Sequence, residues 1–528
     1  MRTATRTGII AVLVAASVAL AGCSGTPPKD TAASDETFTY ANNLVVMTSW
    51  DPASSYSNEI IAMNNIYEQL TRYDSTTGEV EPLLADSWES SPDGLTWTFK
   101  LHPGVTFSNG NPMNAEAAKA ALERTIELGA GAAFQWDPVK SIQAQGESTL
   151  VFKLKYAAPL DLIASSAYAA YIYDTTATSG DLAAWFEEGN TAGTGPYVVS
   201  DYKKGQEKEL TLKANKSYWG GWEGFHYTSV VYRVVPQETT AAQLLQGGQV
   251  TFVPRMSPTL FDSLKSKEGI ATSETPSFQN ILAMLNTASG PLADPRLRQA
   301  VAKAIDYDGI VTALKGSLVK AQGVVPEGLL GYTTEVSQTT DTAAAQSLLD
   351  EAGYGAGGKK LSLTLTYAAG TPELETIVTL MKSNLAEVGI TLDAKALEWE
   401  TQWALGKSED PSKRQDIFVF YWYPDYADPI SWFVNLYRSS DEVYFNLSYY
   451  DNPEVDDLID GVPALTATDR EAAQQQYVDL QRIISDDAVS PVLGVTNFQR
   501  VFASSFDGYV DNPSYNNVVF VHDLTPTS

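Results

Sequence analysis

Cysteine is almost missing from this chain. Cys23 is the only one in 528 residues, so the fold holds no disulfide and offers neither a thiol nucleophile nor a cysteine metal site. Histidine is nearly as scarce. His102 stands at a turn, His226 beside Tyr227 and His522 near the end, with no H-E-x-x-H or comparable ligand spacing. There is no G-x-S-x-G elbow, and the run Gly193-Thr194-Gly195-Pro196-Tyr197 does not lead from a strand into a helix as a phosphate loop must. Positive charge is in short supply, with 35 Lys and Arg against 64 Asp and Glu and a net charge of −29. That balance repels nucleic acid and anionic lipid surfaces. With so many acids a carboxylate pair can arise anywhere, so counting does not exclude a glycosidase, but no local pattern supports one. No repeat of solenoid period is present. Catalytic readings fare badly on this inventory.

The first residues carry an export pattern. Arg2 and Arg6 form a positive region, and Ile9 to Leu20 is an apolar run too short to span a membrane. Leu20-Ala21-Gly22-Cys23 then places small residues directly before the cysteine. The expectation is a signal peptide over 1–22 and a lipidated Cys23 as the mature N-terminus; the alternative is a signal cut elsewhere, with Cys23 incidental. Ser24 to Glu36 is small, polar and proline-containing, a flexible tether. Removing residues 1–22 takes away two arginines and no acid, which carries the charge from −29 to −31. The roughly 490 residues that follow exceed what one core usually holds, so at least two lobes are expected.

Local patterns place the main elements. Phe38 to Met47 reads as a strand broken by Thr48-Ser49-Trp50-Asp51-Pro52, and Glu59 to Leu70 as a helix. Ser91-Pro92-Asp93-Gly94 is a turn by composition. Trp97, Phe99 and Leu101 alternate with polar residues as a strand, and Asn114 caps a helix with Ala117, Ala118, Ala121 and Leu122 on one face. Val230 to Val235 is a buried strand and Thr239 to Gln246 a helix. Asp294 and Pro295 open a helix by cap and first-position chemistry. Leu361 to Tyr367, the helix from Thr371-Pro372 and the strand from Ile390 form a β-α-β unit, so this part contains parallel sheet. Trp399 and Trp403 share one helical face, which suits core packing. Asp469 to Asp487 is a helix, and Val489 to Arg500 contains another strand.

The chain is organised around Ile417 to Tyr437. Ile417 to Trp422 is continuously apolar, as in a strand buried on both faces, and Pro424 ends it because proline has no N–H for the ladder. Asp425 then sits just past the carboxyl end of a buried strand, where crevices in open α/β sheets take ligands. Turn capping is the plainer role for such an aspartate. Trp422 and Tyr423 stand beside it as flat amphipathic walls.

This segment resembles the W-x-x-D-Y-x-D-P signature of the family 5 extracellular solute-binding proteins, the oligopeptide, dipeptide and nickel receptors of bacterial ABC importers. Two further blocks are similar to the family: the run from Leu84 to Ala118, and PLADPRLRQAVAKAID from Pro291 to Asp306. Gly193 to Tyr197 matches its G-T-G-P-Y. The family's G-x-V-D recurs at Gly248 to Thr251, but with Thr251 in place of the acid, so no role is carried there.

The resemblance implies an α/β, two-lobed periplasmic-binding-protein-like fold of type II, with the ligand in the interlobe cleft. Lobe 1 is expected over 37–280 plus 490–528, with a small subdomain at about 52–175, and lobe 2 over 281–489. Crossings near 280–287 and 489–498 would form a hinge. The family's acid at the position of Asp425 holds a peptide's α-ammonium, so Asp425 is the expected anchor, with Trp422, Tyr423, Trp50 and Ser49 as further ligand-binding residues. Trp50 has a core or rim position as its alternative. Arg255 and Arg414 are placed to meet a ligand carboxylate, or are solvated surface; Arg296 and Arg298 suit a solvated helix face, with a ligand carboxylate as the alternative partner. Nickel is disfavoured because no histidine lies near Asp425, and no metal or cofactor is expected. The implied function is that of a non-enzymatic, monomeric, lipid-anchored receptor on the outer face of the membrane. It would pass short peptides to two permease subunits with two ATPases. Rivals are a receptor of the same fold for a saccharide or another amine, and an extracytoplasmic sensor or chaperone for unfolded chains or a pheromone.

Overall fold

The computed structural model describes residues 37–202, 208–355, 357–440 and 442–527, so Cys23 and its flanking signal and tether lie outside the described residues. One eleven-stranded sheet runs through the whole molecule. From one edge its main path is Ile390–Leu397, Leu361–Ala368, Ile417–Trp422, Ile270–Leu285, Val492–Ala503, Phe252–Val253, Thr37–Asn42, Ser229–Val234, Glu209–Ala214 and Tyr197–Asp201. The expected β-α-β unit is present. Leu361–Ala368 and Ile390–Leu397 pair in parallel through the helix Pro372–Glu387, which has Pro372 in its first turn. That helix buries Leu374, Ile377, Val378, Met381 and Leu385, and Gly389, at φ +87°, turns the chain back to the sheet.

Two strands carry the sheet from one lobe to the other. Ile270–Leu285 and Val492–Ala503 run antiparallel, and their register breaks between Pro276, which faces Asn497, and Asn280, which faces Val495. Past the break the first of them also pairs with Ile417–Trp422, from Asn280 opposite Trp422 to Leu285 opposite Ile417. A proline and a bulge at one level loosen the ladder where the two lobes meet. Ile417 to Phe420 is buried on both faces. Ile417 and Val419 pack with Leu297, Val301 and Met381 on one side, while Phe418 and Phe420 pack with Trp432, Leu436 and Leu480 on the other.

A separate four-stranded antiparallel sheet (Ala85–Ser90, Thr96–Leu101, Thr149–Leu154, Val139–Ala144) encloses its own core with the helix Ala115–Leu128. Asn114 caps that helix, its side chain accepting from the Ala117 N–H at 3.0 Å.

Two elements depart from expectation. The first strand stops at Asn42 rather than Met47, because the Asn42 amide turns to the Leu44 carbonyl at 3.1 Å. The helix expected over Glu59 to Leu70 is a single turn, Ile60–Met63. Its continuation is diverted by tertiary bonds: the Asn65 and Ile66 carbonyls accept from the N–H groups of Tyr197 and Gly195, both at 3.0 Å. This also explains the glycines of the G-T-G-P-Y run. A Cβ at Gly193 would lie 2.1 Å from the Ile66 carbonyl oxygen, and one at Gly195 would lie 2.7 Å from it.

Candidate functional site

The turn after Ile417–Trp422 is fixed by its second acid. Asp428, 1% exposed, accepts from the Ile430 N–H at 2.8 Å and from the Tyr477 hydroxyl at 2.6 Å. Tyr477 belongs to the buried face of the helix Arg470–Asp486. Burial pushes the Asp428 carboxyl up to about 6, against the pull of those two donors.

Asp425 is differently placed. It is partly exposed and meets residues of the other lobe: Oδ1 accepts from the Tyr56 hydroxyl at 2.9 Å, and its backbone carbonyl accepts from the Ser166 hydroxyl at 2.9 Å. Burial pushes this carboxyl up to about 6, with the Tyr56 hydrogen bond opposing. Burial and the adjacent Asp425 raise the Tyr56 phenol, which keeps it a donor.

Three buried aspartates have a cation from the protein itself, while Asp174 and Asp428 are met by neutral donors of their own surroundings. Asp51 holds Arg124 at 2.8 and 2.5 Å, Asp161 holds Arg470 at 2.5 Å, and Asp511 holds Arg500 at 2.8 Å. Among the described residues no cation pairs with Asp425. A desolvated carboxylate lacking a counter-charge is where an ammonium gains most.

Trp422 and Tyr423 stand with Asp425 on the same turn. The Trp422 indole N–H donates to the Ser431 hydroxyl at 2.9 Å and its ring lies 5.0 Å from Phe445, while Tyr423 is exposed. Trp50 and Ser49 are elsewhere in this conformation. Trp50 is 2% exposed, packed in the core with its ring 4.4 Å from Tyr202, and it presents no open face. The Ser49 N–H donates to Glu59 at 3.1 Å.

Neither arginine considered for a carboxylate is unengaged. Arg255 pairs with Glu373 at 3.0 Å, and Arg414 donates to the Ser408 carbonyl at 2.8 Å while lying over the Tyr449 ring. Arg296 pairs with Asp294 at 2.6 Å, and Arg298 is buried on backbone carbonyls, not solvated. Lys407 has no carboxylate partner among the described residues and lies over the rings of Trp403, Tyr444 and Phe445.

Sequence reasoning missed Tyr56, Ser166 and the clasp of Asp161 with Arg470. Tyr56 is 369 positions from Asp425 and Arg470 is 309 from Asp161, so no local pattern joins them. Among the described residues no group of three or more His, Cys, Asp or Glu is gathered to hold a metal, and no helix is long and apolar enough to cross a membrane. His226 and His522 stack on each other at 4.4 Å and bond to backbone carbonyls.

Comparison with known proteins bears on the family and the fold. The model of the bacterial extracellular solute-binding proteins, family 5 (middle), matches residues 79–443. The probable D,D-dipeptide-binding periplasmic protein DdpA of Escherichia coli is 30% identical, covering 90% of this chain and 92% of its own. Heme-binding protein A of Haemophilus influenzae is 25% identical over 95% and 96%. Among solved structures, NikA of Brucella suis in complex with Fe(III)-EDTA superposes with a TM-score of 0.80 at 23% identity, over 93% of this chain and 100% of that one. DppA of Helicobacter pylori in complex with the peptide STSA gives 0.72 at 23%, over 93% and 98%. At these identities the structural likeness speaks for the fold.

Proposed function

The chain belongs to the family 5 bacterial extracellular solute-binding proteins, and from that premise we propose that it captures short peptides by their free amino terminus and delivers them to an ABC permease. The observation that carries this reading is Asp425, a desolvated carboxylate at the contact between the lobes that accepts one hydroxyl and has no cation from the described residues. A ligand ammonium supplies the missing charge. Tyr423 and Trp422 flank it, and an extended peptide backbone would lie between the lobes, which flex where the crossing strands lose register. In this reading the lobes divide as 37–280 plus 490–528 and 281–489, and the protein performs no catalysis. Cys23 carries the lipid that holds a monomer at the outer face of the membrane. The relatives named for dipeptides and for heme show that substrates vary within the family, so the choice of peptide rests on Asp425.

Thermal unfolding of a soluble form beginning after Cys23, with pooled di- to pentapeptides and their N-acetylated copies, tests it. A micromolar binder at millimolar concentration adds about 4 kcal/mol. The expected shift occurs only with free amines and disappears in Asp425→Ala. Equal shifts with acetylated peptides, or none with any pool, would remove the peptide-amine reading in favour of a non-peptide solute.

A further inference from the structure

Large apolar side chains are rarely left exposed in one neighbourhood of a folded protein without a partner to cover them. Five are gathered here around Asp425. Trp399, Tyr421, Tyr423, Tyr56 and Phe134 are each between 37% and 48% exposed. Trp399 and Tyr421 are stacked, with centroids 5.9 Å apart and planes at 23°. Trp399 opens the helix Trp399–Gly406 that follows Ile390–Leu397, and Tyr421 is next to last in Ile417–Trp422, so both stand at carboxyl ends of strands in one lobe. Tyr423 follows Tyr421 by two positions, just past the strand end, and precedes Asp425 by two. Tyr168 lies edge-on to Tyr56 at 5.1 Å, and Tyr56 edge-on to Phe134 at 6.1 Å. The rings thus form two groups, one in each lobe, that meet at the hydrogen bond from Tyr56 to Asp425.

From this we infer that the site selects free-amine peptides with aromatic side chains in their first two residues, and that Trp399, Tyr421 and Tyr423 are the residues that set the preference. The inference rests on the ammonium reading of Asp425. With the ammonium at Asp425, the first side chains of an extended peptide fall within reach of the rings on either side. An aromatic ring stacks offset or edge-on against them, and the ammonium itself gains from the adjacent π faces. The rings supply flat faces and only hydroxyl or indole donors, so a ring is favoured over a charged side chain. The charge where the two groups meet is the negative one of Asp425, which the ammonium occupies.

Isothermal calorimetry on the soluble chain beginning after Cys23 compares Phe-Ala-Ala, Trp-Ala-Ala and Ala-Ala-Ala with their N-acetylated copies. The expected result is a preference of about tenfold or more for the aromatic peptides. That ratio falls towards unity in Trp399→Ala and in Tyr421→Leu, while Asp425→Asn weakens all three peptides together. Two independent ring variants, each checked for a native circular dichroism spectrum, separate lost selectivity from lost folding. Equal affinity for the alanyl and aromatic peptides overturns this inference and leaves the ammonium reading standing. Aromatic peptides that bind equally well when acetylated overturn the ammonium reading while keeping the ring preference. Binding of none of the six overturns both.

Discussion

Two acids three residues apart occupy opposite halves of one turn. Asp428 is enclosed, and its donors come from the lobe in which it sits: Tyr477 and the Ile430 N–H. Asp425 faces outward to the other lobe, takes one hydroxyl, and finds no cation among the described residues. Burial raises both to about 6, yet their surroundings differ in kind. A similar titration therefore says little about role. What separates them is where their partners come from: Asp428 takes both donors on one oxygen from its own lobe and buries the other oxygen unbonded, whereas Asp425 takes its one side-chain donor from across the contact. Asp161 sharpens the point, since it also meets the opposite half of the contact, but there Arg470 supplies the counter-charge at 2.5 Å.

The largest effect expected from breaking this contrast is on binding. Asp425→Ala loses about 2–5 kcal/mol of affinity for a free-amine peptide. Its unfolding free energy in urea does not fall below the parent's, since the substitution removes a desolvated charge and no fully buried side chain. Asp428→Ala reverses the pattern. It orphans the buried Tyr477 hydroxyl and the Ile430 N–H and costs about 1–3 kcal/mol in the same urea experiment. An equal loss of stability in both variants would erase the distinction between them.

The pH dependence separates binding from folding in sign. Each carboxyl titrates near 6 in the fold and near 3.8 when free. Between those values the folded chain holds protons that the unfolded chain has released, so stability without ligand falls as pH rises through this window. The slope is at most about 1.4 kcal/mol per pH unit for each carboxyl. Comparing the parent with Asp425→Asn and Asp428→Asn isolates these two from the other acids. Ammonium capture runs oppositely, because it needs the carboxylate: affinity declines below about pH 6, approaching tenfold per unit. Calorimetry at about pH 5 and about pH 7.5 reads it, and a pH-independent affinity would contradict an ionic anchor.

Tyr56→Phe gives the smallest effect. Removing its hydrogen bond lets burial raise Asp425 further, so the midpoint of the affinity profile moves to higher pH. At about pH 7.5 the loss is about 0.5–1.5 kcal/mol at most. A midpoint moving downward would show that the hydroxyl stabilises the neutral acid instead.

How much of this was legible in the sequence depended on how locally each feature is specified. The strand Ile417–Trp422 could be read because burial on both faces leaves an unbroken apolar run, and the helices at Asn114 and Asp294 because their caps are adjacent in the chain. Asp425 was legible as a residue past a strand end. Its isolation from cations was not, since that is a fact about what the other lobe leaves out. The helix Pro453–Thr468 was missed because Gly461 and Pro463 sit inside it, where propensity forbids a helix and packing of Val455, Ile459 and Val462 overrides it. The short helix at Ile60 and the buried Trp50 were lost to bonds with segments more than a hundred positions away.

The sheet that continues through both halves has a mechanical corollary. Rigid bodies joined by a flexible linker drift and rotate in every direction, whereas a pair of hydrogen-bonded strands restricts the directions in which two bodies can move. In the proposed transport cycle, occupancy would be written into that motion, and the permease would need to gauge only how far the two halves have closed.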